Sequence, residues 1–263
     1  MSITVEIHER VATVTLENPP VNALTVADLR ELTSVFGDLG AGREASVAVL
    51  RSAGSRVFCA GADFRDSERR YASAGVDHAE SAREQVDKGR VVRECFSAIL
   101  HAEMPVIAAV HGPALGSGLS LVAASDIVIA STEATFGLPE INVGVLGGGR
   151  YLQRMVGPYK TRHAYYTGRP IGAEDMHRLG AVEQVVPAGE LGDAVQVLAT
   201  ELASKSPIAL RLAKQSLNRS EGLWVEDGYR VEQDYTLRLS GFNDSSEARS
   251  AYREKRAPTW TWS

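Results

Sequence analysis

Three short stretches of this chain combine small residues with a hydroxyl or a carboxylate in ways that could do chemistry. The first runs Phe58, Cys59, Ala60, Gly61, Ala62, Asp63, Phe64, a few residues after an apolar run at 47–50. So small a turn lets a ligand approach the main chain and leaves N–H groups to donate, although an ordinary glycine turn capped by Asp63 has the same sequence. The second, His111, Gly112, Pro113, Ala114, Leu115, Gly116, Ser117, Gly118, Leu119, Ser120, follows the run at 106–110 and enters an apolar stretch at 119–124. Strand, glycine turn and helix in succession put the Ser117 N–H at a helix N-terminus, where unpaired donors and the helix dipole favour an anionic oxygen. The third is Phe136, Gly137, Leu138, Pro139, Glu140, followed by a glycine-rich run to Arg150. Pro139 pre-sets φ for a first helical residue, which places Glu140 in a first turn. There it is either an exposed carboxylate that suits the dipole, or one partly desolvated by Leu138 and Ile141 with the proton affinity a general base needs.

Several familiar chemistries do not fit these residues. A dinucleotide-binding GxGxxG is broken at Leu121, no GK[ST] of a phosphate loop occurs, and a nucleophile elbow would need glycine where Leu115 stands. Ser117 and Ser120 are therefore poor nucleophiles. The six histidines never fall at HExxH or HxH spacing, so no metal is expected. Cys59 and Cys95 sit at no redox or metal spacing and read as core residues.

The elements that must hold these stretches are legible as alternating strands and helices. Residues 3–16 read as two strands turning at 8–10, and buried strands follow at 47–50, 106–110, 127–130 and 182–186. A helix over 25–39 starts with Thr25 and Asp28 at cap spacing. The polar segment 65–87 reads as a mobile flap beside a site, with helical spacing resuming at Val91 and continuing to Leu100. Past 186 only helices are expected, at 191–204, 207–219, 222–240 and 245–255, which divides the chain into an α/β body at 1–190 and a helical region at 191–263.

The bulk properties narrow the partners. With 263 residues, 44% hydrophobic and 23% charged, the chain is long enough for a sizeable core. A net charge of -5 gives no general attraction to nucleic acid or anionic lipid. No segment approaches the ~20 apolar residues of a spanning helix. No signal region opens the sequence, and its end, TWTWS, is no peroxisomal address, so a cytoplasmic protein is expected with neither nucleic acid nor membrane as partner.

In order and spacing, these segments resemble the crotonase superfamily, the enoyl-CoA hydratase and isomerase family. The resemblance runs through Asn18, Pro19, Pro20, Val21, Asn22, Ala23 and Leu24, then AGAD at 60–63, the turn at 116–118, SDIVIA at 125–130 and FGLPE at 136–140. It continues through Tyr166, Thr167 and Gly168, LGAV at 179–182, Lys205, Ser206 and Pro207, and Ser246 and Glu247 to EKRAP at 254–258. It implies an α/β spiral of β-β-α turns with C-terminal helices that form trimers or pairs of trimers. It also implies an acyl-CoA thioester as substrate and no separate cofactor, because coenzyme A is part of the substrate. The thioester oxygen would lie between the backbone N–H groups of Ala62 and Ser117, with Glu140 as acid/base. Coenzyme A would bend around Val21, Ala23, Leu24 and Ala60, with Asp63, Phe64, Ser120 and Pro139 beside the substrate. Lys255, or its copy on a neighbouring subunit, would meet a phosphate.

One departure bears on the reaction. Hydratases of the family use two glutamates, and the first of these falls on Ser120, leaving Glu140 alone. One carboxylate can take a proton from C2 or C4 of an enoyl chain and return it at the other end, which favours double-bond isomerisation over hydration. The position where dienoyl isomerases of the family carry an aspartate is Gly148. A thioester or C–C hydrolase on the same scaffold, and a non-catalytic acyl-CoA binder, are the alternatives.

Overall fold

The structure, a computed structural model, describes residues 2–63 and 78–263. Its main sheet has six strands in the order β1-β2-β3-β4-β6-β9: β1 (Ser2–His8), β2 (Val11–Glu17), β3 (Val47–Ser52), β4 (Val106–Val110), β6 (Ile127–Ser131) and β9 (Gln184–Val186). Only β1 and β2 pair antiparallel, turning through Glu9 and Arg10 at positive φ; every later neighbour is parallel. Parallel neighbours need long crossovers, and these carry the helices and the candidate site.

The period of two in each strand sends side chains to both faces. Ala48, Leu50, Val106, Ala108 and Val110 join the larger core, under α1 (Val26–Ala41), α2 (His78–Leu100) and α3 (Ser117–Ala124). Their alternates Val47, Val49, Ile107 and Ala109 face Leu191, Val195, Ala199 and Ala203 of α6 (Leu191–Ala203), which covers the opposite face. The first of these helices starts with the expected capping box, in which the Thr25 N–H donates to Asp28 at 2.7 Å and the Asp28 N–H donates to Thr25 at 3.3 Å.

A second, smaller sheet joins β5 (Ala114–Leu115), β7 (Thr135–Gly137) and β8 (Ile171–Gly172). Two isolated parallel bridges, Cys59 to Ala114 and Leu24 to Ala62, extend this layer outward. Successive turns of the chain thus lay short extended segments side by side, and the candidate site forms along them.

Several elements differ from the sequence reading. Helix α2 begins at His78, so the last part of the expected flap at 65–87 is helical; the rest falls outside the described residues. Its first turns are polar and lack the apolar periodicity that marks a helix from sequence. The strands β5, β7 and β8 are two or three residues long and leave no period to read. Helix α4 (Gly149–Thr167) also escapes the pattern, since Gly157 at φ 73 and Pro158 kink it and split its apolar spacing. After α5 (Ala173–Arg178) and α6 come α7 (Pro207–Ser220), α8 (Val225–Ser240) and α9 (Asn243–Glu254). The buried Lys214 ammonium of α7, 5% exposed, donates to the carbonyls of Ile99 and Met104 at 3.1 Å and to Asp126 at 2.7 Å, which locks that helix onto the body. No helix among the described residues is long and apolar enough to cross a membrane.

Candidate functional site

The direction of two backbone amides follows from their neighbours' hydrogen bonds. The Gly61 carbonyl accepts from Leu24 N–H at 2.8 Å, and the Asp63 N–H donates to Leu24 O at 2.9 Å. In a planar trans peptide the C=O and the N–H point opposite ways. The Ala62 N–H shares its peptide with the Gly61 carbonyl, so it points away from Leu24, toward the segment 115–117. The same argument holds one segment over. The Gly116 carbonyl accepts from Ser120 N–H at 3.1 Å, inside the first turn of α3, so the Ser117 N–H projects backward out of the helix N-terminus. Neither N–H meets an acceptor among the described residues.

Gly61 makes their approach possible. Its φ of +103 suits only glycine, and a methyl group added there would lie 3.2 Å from Leu115 O and 3.5 Å from Ser117 N. The two donors therefore belong to backbone segments in contact, with no side chain between.

Glu140 closes the group. Leu138, fully buried, precedes a 3-10 helix at Pro139–Val143 in which Pro139 takes the first position and Glu140 lies in the first turn. A methyl group on Gly116 would collide with Glu140 Oε1 and lie 3.3 Å from its Cδ, so the carboxylate rests directly against the α-carbon between the two segments. Its Oε2 is buried without a hydrogen-bond partner. Desolvation raises the Glu140 proton affinity above that of an ordinary carboxylate, partly opposed by a hydrogen bond with its own backbone. A half-buried carboxylate with one unpartnered oxygen beside two outward-facing amides can move a proton next to an oxygen those amides hold.

Ser120, 1% exposed, lies one helical turn beyond Ser117 and donates from Oγ to Gly116 O at 3.3 Å. A methyl group at Gly148 would lie 3.0 Å from that Oγ, so positions 120 and 148 face each other next to the carboxylate's seat. The other residues singled out from sequence divide into three groups. Val21, Ala23, Leu24, Ala60 and Asp63 are brought together: Val21 O accepts Ala60 N–H at 3.0 Å, and Leu24 bridges Ala62. Phe64 lies outside the described residues. Lys255 stands exposed at positive φ at the end of α9, and no hydrogen bond or ion pair among the described residues joins its side chain to this group.

Asn22 escaped the sequence reading except as one letter of a motif. It is 4% exposed at φ +52, with its side chain bonded to the loop that leads into Cys59. A lone asparagine between two apolar residues, following a pair of prolines, was the available signal. Among the described residues no group of three His, Cys, Asp or Glu could hold a metal ion.

The chain as a whole has close counterparts among solved structures. The crystal structure of an enoyl-CoA hydratase from Bacillus anthracis superposes with a TM-score of 0.89 at 30% identity, covering 99% of each chain. The pattern of the Enoyl-CoA hydratase/isomerase family matches residues 6–262, and the chain belongs to that family, the crotonase superfamily, whose enzymes process acyl-CoA. Among its relatives, the (7aS)-7a-methyl-1,5-dioxo-2,3,5,6,7,7a-hexahydro-1H-indene-carboxyl-CoA hydrolase of Rhodococcus jostii is 33% identical over 94% of this chain and 92% of its own. The short-chain-enoyl-CoA hydratase of Clostridium acetobutylicum is 31% identical over 97% of this chain and 95% of its own.

Proposed function

We propose that this enzyme holds the thioester oxygen of an acyl-CoA between the Ala62 and Ser117 amides while Glu140 moves a proton at a neighbouring carbon, and that isomerisation of an enoyl double bond is favoured over hydration. The observation that carries the reading is the Glu140 carboxylate seated against Gly116 with one buried oxygen unpartnered. In the step envisaged, Glu140 takes a proton from C2 of a 3-enoyl thioester. The electron pair moves onto the thioester oxygen, which the amides stabilise, and the proton returns at C4. Preorganised donors at a developing oxyanion are a major catalytic asset, and losing one such donor typically costs about 10²–10³ in rate. The buried Ser120 hydroxyl, where hydratases of the family carry a second acid, supports isomerisation.

Coenzyme A in this reading follows the Val21–Leu24 and Ala60 backbone, and Lys255 of this chain or of another copy meets a phosphate. Trp224, Val225, Leu217 and Leu237, each at least 69% exposed, support an assembly of several copies, a trimer or a pair of trimers, which light scattering would test. Glu140→Gln tests the chemistry. Turnover is expected to fall by about 10²–10⁴ with acyl-CoA binding largely intact; wild-type turnover by the variant would refute the assignment.

A second reading is hydrolysis, supported by the Rhodococcus relative named as a hydrolase of a ring-bearing carboxyl-CoA. Panels of 2-enoyl, 3-enoyl and 3-hydroxyacyl-CoA, together with a cyclic β-dicarbonyl acyl-CoA, separate the outcomes by mass. Isomerisation leaves mass unchanged, hydration or C–C cleavage adds one water, and thioester hydrolysis releases free CoA.

A further inference from the structure

We infer that Asn22 is a positioning residue that sets the direction of the Ala62 amide and thereby its part in catalysis; this rests on the proposed role of that amide. Three carbonyls converge on one side-chain amide: Asn22 Nδ2 donates toward Ala53 O at 3.0 Å, Val57 O at 3.1 Å and Phe58 O at 3.2 Å. Its Oδ1 accepts from Asn18 N–H at 2.9 Å, and its own N–H donates to Asn18 O at 2.7 Å.

These bonds grip the loop that leads into the amide. On one side of Asn22, Val21 O holds Ala60 N–H at 3.0 Å; on the other, Leu24 holds Gly61 O and Asp63 N–H at 2.8 and 2.9 Å. The Gly61–Ala62 peptide therefore takes its orientation from a segment whose register is fixed, one turn earlier, by the Asn22 side chain. A shift of that register turns the Leu24 N–H off Gly61 O and swings the Ala62 N–H with it, because the two groups share one rigid peptide. Asparagine suits the position on two counts: it tolerates a φ of +52, and it offers two N–H donors and an acceptor on a short stem.

The test uses the whole protein and two variants. Asn22→Gly keeps the backbone conformation and removes the side chain. Asn22→Asp keeps the shape and the acceptor for Asn18 but points an oxygen at three carbonyls. With a saturated, unreactive acyl-CoA bound, isotope-edited infrared reads the thioester carbonyl stretch, which moves to lower frequency when amides polarise it. The inference expects the wild-type shift to shrink in both variants. It also expects kcat to fall by about 10- to 100-fold, short of the roughly 10²–10³ for loss of a whole donor, while KM stays within about threefold. A wild-type carbonyl that shows no shift would overturn the amide reading itself, and this inference with it. A shifted wild type with folded variants equally shifted and equally active would overturn the role of Asn22 alone. Failure of both variants to fold, while Ser46→Ala made in parallel folds, would assign Asn22 to fold stability and likewise overturn it.

Discussion

Replacing Gly116 with alanine puts a methyl group where the Glu140 carboxylate now rests. Two costs follow. The backbone at φ 56 and ψ -120 is a conformation that side-chain-bearing residues avoid, and holding alanine there costs about 1–3 kcal/mol. At about 2–4 °C per kcal/mol, the melting temperature should fall by several degrees. The second cost is kinetic. The new methyl would overlap Glu140 Oε1 and lie 3.5 Å from Gly61 Cα, so the flexible glutamate yields and leaves its seat. Misplacing a catalytic group by about 1 Å costs on the order of 10² in rate. The assay is kcat for the preferred enoyl-CoA beside thermal unfolding, in a cycle with Glu140→Ala. If the methyl acts by displacing the carboxylate, Gly116→Ala in the Glu140→Ala background should retain its melting deficit but cost little further rate. A Gly116→Ala enzyme with wild-type kcat, or one equally slowed in both backgrounds, refutes the reasoning.

Other consequences are as direct. Because burial raises the Glu140 proton affinity, kcat/KM should lose activity on the acid side with an apparent pKa above the ordinary 4.5, and that limb should vanish in Glu140→Gln. The sign for stability is the reverse of the usual carboxylate case. Between the unfolded and the raised folded value the native state binds more protons, so ionisation costs stability as pH rises; Glu140→Gln should melt higher than wild type near neutral pH, and the gain should shrink toward pH 4.5. Cys59 and Cys95 are fully buried, and desolvation pushes both thiols up to about 12. Neither should react with a thiol reagent at mild pH until denaturant is added, and stoichiometric labelling of native protein would contradict their burial. Lys214→Met leaves the carbonyls of Ile99 and Met104 without their donor and should destabilise by about 1–3 kcal/mol in denaturant titration, while the folded fraction keeps its kcat.

How much was readable varies by residue. The buried strands β3, β4 and β6 announce themselves as Val- and Ile-rich runs, and α1 by its Thr25 cap, because burial and capping impose residue types locally. Glu140 in a first turn after Pro139 was legible for the same reason, since proline states its own φ. The short strands of the second sheet were not legible, because two-residue pairings depend on what lies alongside. Asn22 was missed because nothing near it in sequence says that Ala53, Val57 and Phe58 will present three carbonyls to it.

By itself, the order of types along this chain determined the family, the alternation of strand and helix, and which stretches offer donors and a carboxylate. The tertiary structure decided where those groups point. Residues 61, 116 and 140 are far apart in sequence, and only the parallel crossovers bring their atoms into contact. The Gly61–Ala62 peptide takes its direction from Leu24 across the layer and the Gly116–Ser117 peptide from Ser120 in the first turn of its own helix, while the solvation of Glu140 is set by the side chains and backbone that close over it. Local sequence fixes a residue's chemistry; orientation and desolvation are properties of its neighbours in space.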